Sequence, residues 1–159
     1  VLALSALLAA CGFHPRQQIK LSDAVGPMKV ETADPYSPLG IELAGALGRA
    51  GAAAPEGDGP SATLKITNER WLTQPLSLDE FAQVREYLTR YRVDFVLQSA
   101  DGKPLVEPQS IELSREYTYD ANASAGSPAE QELIQRELRR DMQAAILRRI
   151  DIVLRKKSP

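Results

Sequence analysis

The longest run of alternating apolar and polar residues lies between Val84 and Leu97. One side of this run carries Tyr87, Thr89, Tyr91, Val93, Phe95 and Leu97, and the other is filled mostly by Glu86, Arg90, Arg92 and Asp94. A period of two is typical of a β-strand buried on one face. Shorter alternations predict further strands over residues 27–32, 62–71 and 111–119.

Two segments have apolar residues at helical spacing instead. Ser37 and Pro38 are typical of an N-cap and a first helical position, and the apolar residues after them predict a helix ending at Gly48 or Gly51. A second helix is predicted to begin with a capping box at 127–130 and to run to about Leu154. Its apolar stripe consists of Ile134, Leu138, Met142, Ala145, Ile146 and Ile150.

The connections between these elements are rich in turn residues. Residues 52–61 predict a flexible connection, residues 72–80 with Pro75 a hairpin connection, and residues 101–104 a turn. The order is strand, helix, three strands, long helix. We therefore predict one α+β domain over 27–157, a two-layer sandwich whose four-stranded mixed sheet has both helices packed on one face.

Composition excludes some classes of function. The chain has 159 residues and a formal charge of −2, which gives no indication of nucleic-acid binding. One cysteine excludes an internal disulfide, and one histidine leaves little imidazole chemistry. Both residues lie close together, at Cys11 and His14.

The N-terminal ten residues are apolar and uncharged, and are about as long as the core of a signal peptide. They end in Leu8-Ala9-Ala10-Cys11, which is typical of a bacterial lipobox. We therefore predict a partial signal peptide over 1–10, a lipid-anchored tether over 11–26, and a diacylglycerol and an N-acyl chain on Cys11. The alternative is a short buried apolar segment containing a core cysteine.

A catalytic arrangement is harder to build from this sequence. His14 lies on the predicted tether, the spacing of Cys and His does not fit a zinc site, and a phosphate-binding glycine loop is missing. The carboxylate pairs Asp79/Glu80 and Glu130/Glu132 occur at a turn and a helix start, where acids are usually exposed. We predict no enzyme activity, no catalytic residue, no metal and no cofactor beyond the acyl chains; a periplasmic hydrolase remains an alternative.

Four arginines are candidates for binding an anionic glycolipid. They are Arg85, Arg90, Arg92 and Arg115, on or beside the two last predicted strands. Arginine pairs with phosphate through two parallel hydrogen bonds. The alternative is a solvated strand face, partly neutralised by nearby carboxylates.

Several motifs resemble the lipopolysaccharide-assembly lipoprotein family (LptE, formerly RlpB). The start Cys11-Gly12-Phe13-His14-Pro15-Arg16 is similar to the mature N-terminus of that family. The segments 28–30, 36–39 and 85–87 resemble its first strand, the start of its first helix and its third strand. The resemblance covers nearly the whole chain after Cys11.

This resemblance implies a lipid-anchored protein on the periplasmic side of the outer membrane. It implies a complex with the β-barrel lipopolysaccharide translocon (LptD-like), as a plug that aids barrel assembly and lipopolysaccharide insertion, and direct binding of lipopolysaccharide. The predicted tip loops carry Asp79, Glu80 and residues 124–127 without Lys or Arg, so the four arginines are the candidates for that binding. The runner-up is an accessory lipoprotein of a periplasmic lipid-trafficking transporter.

Overall fold

The chain forms six elements in the computed structural model, which describes residues 25–157 except 56, 58, 79, 82, 119–126 and the side chains of 127 and 128. They are β1 (Met28–Thr32), α1 (Pro38–Arg49), β2 (Ala62–Leu78), β3 (Val84–Gln98), β4 (Pro104–Thr118) and α2 (Ser127–Lys157). The predicted signal peptide, the predicted tether as far as residue 24, and Cys11 lie outside the described residues.

The strands form one mixed sheet in the order β1-β2-β3-β4. β1 pairs with β2 in parallel, and the other two pairings are antiparallel. The helix between β1 and β2 makes the crossover that parallel neighbours require. The predicted α+β class and mixed sheet are confirmed.

The core lies between the sheet and the two helices. Tyr91, Val93, Phe95 and Leu97 are at most 1% exposed, so the face of β3 predicted from the alternation is the buried one. From the helices, the core receives Leu39, Leu43, Leu47, Ile134, Leu138, Met142, Ile146 and Ile150. We call this side of the sheet the covered face.

Helix α1 begins where the sequence predicts. The Ser37 hydroxyl accepts a hydrogen bond from the Gly40 N–H at 3.3 Å, and Pro38 fills the first turn. Gly40 allows a close approach to β1, because a Cβ atom there would lie 2.8 Å from Thr32 Cγ2 and would force that side chain to move. The helix therefore packs tightly against the edge strand.

Strand β2 is longer than predicted. It continues from Trp71 to Leu78 through Pro75, where we expected a hairpin connection. β1 ends opposite Ile66, so the following part of β2 has no strand on that side within the described chain. A proline that donates no ladder bond is tolerated on such an edge.

From Glu137 to Lys157, helix α2 runs antiparallel to β4. Arg115 contacts Glu137 and Asp141, Arg149 contacts Gln109, and Lys157 contacts Leu105. The C-termini of both helices therefore lie at one end, with Met28, Ala62 and Pro104, because Met28 also bonds the turn that follows α1. We call this the proximal end. The β2–β3 hairpin and the start of α2 form the distal end.

Candidate ligand- and partner-binding surfaces

The sheet side opposite the core, here called the open face, is not covered by helices or loops of the described chain. Within the described residues its side chains are mostly exposed or half-buried. They include Asn68, Arg70, Leu72 and Gln74 of β2, Leu88, Arg90, Arg92 and Asp94 of β3, and Ser110, Glu112, Ser114 and Glu116 of β4. This mixture of charged, polar and apolar groups can contact water, a polar protein wall or an anionic headgroup.

Two of the four predicted arginines lie on the open face. Arg92 is paired across the sheet with Arg70 on one side and Glu112 on the other, and its Nε lies 3.3 Å from Asp94 Oδ1. Arg90 lies one row away, between Leu72 and Ser114. Like charges directly opposite each other repel. Arg70 and Arg92 therefore form a pair of like charges, with the carboxylates of Asp94 and Glu112 beside Arg92.

Arg70 also lies on the open face and was not among the arginines predicted from the sequence. Leu64 and Ile66 face the core, and a strict period of two would send the side chain at position 70 there as well. The register shifts between Ile66 and Asn68, however, which is a β-bulge or irregularity. Because an extra residue reverses the alternation, Glu69 and Trp71 turn to the covered face and Arg70 to the open one. The hydrophobic pattern carries no clear signal for this shift.

The other two predicted arginines do not join this group. Arg115 is opposite Thr89 on the covered face, and its two terminal nitrogens lie 2.8 Å from Glu137 and 3.2 Å from Asp141 of α2. It therefore holds α2 against β4. Arg85 is exposed at the start of β3, at the distal end.

Asp94 is the titratable group of the open face whose environment is clearly perturbed. The hydrogen bond from Asn68 Nδ2, at 3.0 Å, is the main cause that lowers the pKa of this carboxyl, and a hydrogen bond from Ser110 adds to it. Asp94 is thus held in the ionised form beside Arg92.

A polar cluster on the covered face links both central strands to α1. The Glu69 carboxylate accepts one hydrogen bond from the Tyr91 hydroxyl at 2.7 Å and another from Ser37 at 2.9 Å. Burial, and then the bond to Glu69, raise the pKa of Tyr91. Trp71 stacks on the Tyr91 ring with centroids 3.8 Å apart. These groups satisfy one another, and their arrangement is that of a structural clamp.

Three of the four carboxylates named for the hydrolase alternative lie on the surface. Glu80, Glu130 and Glu132 are exposed, and Asp79 lies outside the described residues. Across the described residues, no three His, Cys, Asp or Glu side chains come together in a group that could hold a metal ion.

The distal end combines apolar and aromatic side chains. Leu76, Leu78 and Phe81 are 45%, 59% and 74% exposed. Behind them, the rings of Tyr87 and Tyr117 stack with centroids 5.5 Å apart, and burial is the main cause that raises the pKa of Tyr117. The hairpin thus presents an apolar tip above an aromatic base.

A family model described as LptE, lipopolysaccharide-assembly, matches residues 25–150. The chain belongs to this family. Its members are accessory lipoproteins of lipopolysaccharide assembly and not a known family of enzymes, so a role in lipopolysaccharide assembly follows. Among curated proteins, none matches this chain.

Solved structures show the same fold. A lipoprotein B from Nitrosomonas europaea is 24% identical with a TM-score of 0.73, over 88% of this chain and 90% of that one. The rare lipoprotein B from Shewanella oneidensis is 20% identical with a TM-score of 0.63, over 84% and 94%. A minor lipoprotein from Acinetobacter baumannii is 21% identical with a TM-score of 0.67, over 80% and 92%.

None of the helices in the described part of this LptE-family chain is long and apolar enough to cross a membrane.

Proposed function

We propose that this LptE-family protein is lipid-anchored through Cys11 at the periplasmic face of the outer membrane. There it forms a complex with the β-barrel lipopolysaccharide translocon, aids the assembly of that barrel, and helps to insert lipopolysaccharide into the outer leaflet. Its surfaces, and not a reactive group, do this work.

The shape and polarity of the domain carry this proposal. The 17 residues of β2 span about 50 Å at a rise of ~3.3 Å each, and the 31 residues of α2 span about 45 Å. A bilayer with its headgroups is about 40–45 Å thick. A body of this length, polar on its open face, can fill the water-lined lumen of a large barrel.

The different positions of the two ends of the domain support the same arrangement. The described chain enters at the proximal end, at Val25, so an acyl chain on Cys11 would hold this end at the periplasmic leaflet. The distal end, with Leu78 and Phe81 at its tip, then points towards the outer leaflet.

Arg70, Arg90 and Arg92 are the proposed contacts for the phosphate groups of lipopolysaccharide. They lie in two adjacent rows of the open face, where a phosphate could take guanidinium hydrogen bonds without disturbing the core. Arg115 is a poor candidate because both of its terminal nitrogens already bind carboxylates.

Co-purification tests the complex. The tagged chain is expressed in its native host, extracted from outer membranes with mild detergent, and its partners are identified by mass spectrometry. We expect a large β-barrel protein in the wild type and much less of it in Cys11→Ser, which lacks the acyl chain. A chain that always elutes alone, or that elutes with an inner-membrane transporter, contradicts the proposal.

Glycolipid binding is tested separately with the purified wild-type complex and two double variants. Arg70→Gln with Arg92→Gln removes two open-face cations, and Arg136→Gln with Arg140→Gln removes two exposed cations of α2. We expect about a tenfold or greater loss of lipopolysaccharide affinity in the first variant alone, since each bond to a charged group contributes about 1.5–3 kcal/mol. Equal affinity in both variants contradicts this assignment.

A further inference from the structure

The proximal end gathers the basic last turns of both helices. Arg49 lies in the last turn of α1, and Arg155, Lys156 and Lys157 lie in the last turn of α2. Lys103 lies in the adjoining β3–β4 turn, which Gly102 closes with a φ of 81°. All of these side chains are exposed.

Some of these cations have local partners, and others do not. Lys103 lies 2.9 Å from Asp101, and Arg155 lies 2.9 Å from Asp151. Within residues that the structure describes, Arg49 and Lys156 have no ion-pair partner. A helix C-terminus carries only about half a negative charge, so the two helix dipoles do not neutralise the basic residues beside them.

The distal end has the opposite sign. Among the described residues, its exposed carboxylates are Glu80, Glu86, Glu116, Glu130 and Glu132, and its exposed cations are Arg85 and Arg115. Glu130 lies at this end because α2 runs antiparallel to β4, so that its first turn precedes the contact of Glu137 with Arg115. The net charge of −2 therefore conceals a separation of charge along the long axis.

The proximal end is also where the described chain begins. Val25 lies about 14 residues after Cys11, and an extended segment of that length reaches at most about 50 Å. A lipid on Cys11 would keep this basic end within that distance of the bilayer surface, so that charge attraction can bring it into contact. We infer that the proximal end docks on anionic phospholipid headgroups and, with the acidic distal end repelled, stands the free anchored protein upright on the membrane before the barrel partner binds.

This inference rests on the proposed anchoring at Cys11, but its test does not need the acyl chain. The chain from residue 11 onwards, with Cys11→Ser, is titrated with vesicles of phosphatidylcholine alone and of phosphatidylcholine with phosphatidylglycerol, and sedimented binding is measured at low and high salt. We expect binding only to the anionic vesicles, and a loss of that binding at high salt. Binding to neither vesicle, or equal binding to both, overturns the inference.

Two double variants of equal charge locate the surface. Arg49→Gln with Lys156→Gln changes the proximal end, and Arg136→Gln with Arg140→Gln changes the body of α2. Each basic residue near an anionic surface contributes about fivefold to partitioning, so we expect about a 25-fold loss in the first variant. The second should stay within about twofold of the parent, with both melting temperatures unchanged. Equal losses in the two variants overturn the inference.

The proposed function is judged by a different result. Co-purification of the barrel partner with acylated Arg49→Gln/Lys156→Gln protein reports on the complex, and vesicle binding reports on the proximal end. A failure of one measurement is therefore distinguishable from a failure of the other.

Discussion

Successive side chains of each strand point to opposite faces of the sheet, and the two faces differ in burial and charge. On the covered face, Tyr91, Val93 and Phe95 of β3 are almost completely removed from water by the helices. On the open face of the same strand, Arg90, Arg92 and Asp94 remain in contact with solvent or with each other. The covered face therefore carries the core of the domain, and the open face leaves charged side chains available to a partner.

The largest expected difference between the faces is in stability. Phe95→Ala should lower the free energy of unfolding by about 3–5 kcal/mol, because it removes a fully buried ring and leaves a cavity. Arg92→Ala on the same strand should change it by less than about 1 kcal/mol, since this side chain is exposed. Urea unfolding measures both values, and similar losses would mean that the open face also carries the fold.

The polar clamp of the covered face should show the next largest effect. Tyr91→Phe leaves the half-buried Glu69 carboxylate with one donor fewer, and we expect a loss of about 1–3 kcal/mol. Ser77→Ala removes a comparable but exposed hydrogen bond to Glu86 and is the matched control, with a change near zero. If a double-mutant cycle of Tyr91→Phe with Glu69→Gln shows no coupling, these two side chains do not stabilise each other and the clamp does not exist.

Arg115 should contribute less, although it lies on the covered side of the sheet. Its contacts join β4 to α2, but they are partly exposed, so Arg115→Ala should cost about 0.5–1 kcal/mol and less at high salt. Lys103→Ala breaks a local pair within one turn and should change stability less. If Arg115→Ala instead weakens lipopolysaccharide binding at unchanged stability, Arg115 contacts the glycolipid and does not hold α2 against β4.

The smallest effect concerns protonation on the open face. Asn68→Ala should raise the pKa of Asp94 towards its ordinary value, because the largest cause of the lowered pKa is removed. A carboxyl with a lowered pKa stabilises the fold above its unfolded pKa, about 3.9, and this contribution is lost as pH falls through the folded value. The variant should therefore lose less stability below pH ~4 than the wild type.

Carboxyl carbon NMR titration measures this pKa directly. Thr67→Ala is the control, since Thr67 donates to the backbone carbonyl of Asp94 and not to its carboxylate. Equal shifts in the two variants would mean that a general change at the bulge, and not the Asn68 bond, sets the pKa.

The sequence predicted the covered face well because burial imposes a period. The alternation in β3 and the stripe from Ile134 to Ile150 identified buried residues correctly except for Tyr87 and Ala145, which are half-buried. Ser37 and Pro38 correctly predicted the start of α1. The irregularity near Thr67 and the continuation of β2 through Pro75 were missed. Both features of β2 depend on which strands pair with it, and the local pattern of apolar residues carries no information about strand pairing.

The candidate site was predictable only in part for the same reason. Arg90 and Arg92 could be placed from the period of their strand, but Arg70 required the register shift, and the partners of Arg115 required the path of α2. Exposed residues follow no periodic pattern in the sequence from which their ligand could be predicted. The anchoring of Cys11 remains a prediction.

The central claim is that the open face is a partner surface of this lipoprotein in the outer membrane. Its most direct test is a photoreactive amino acid in place of Leu72, which is 50% exposed in the middle of that face, followed by irradiation of living cells of the native host. We predict a crosslinked adduct with a large outer-membrane β-barrel protein. A folded, acylated chain that gives no such adduct from position 72, or from positions 70 and 74 beside it, would contradict the claim.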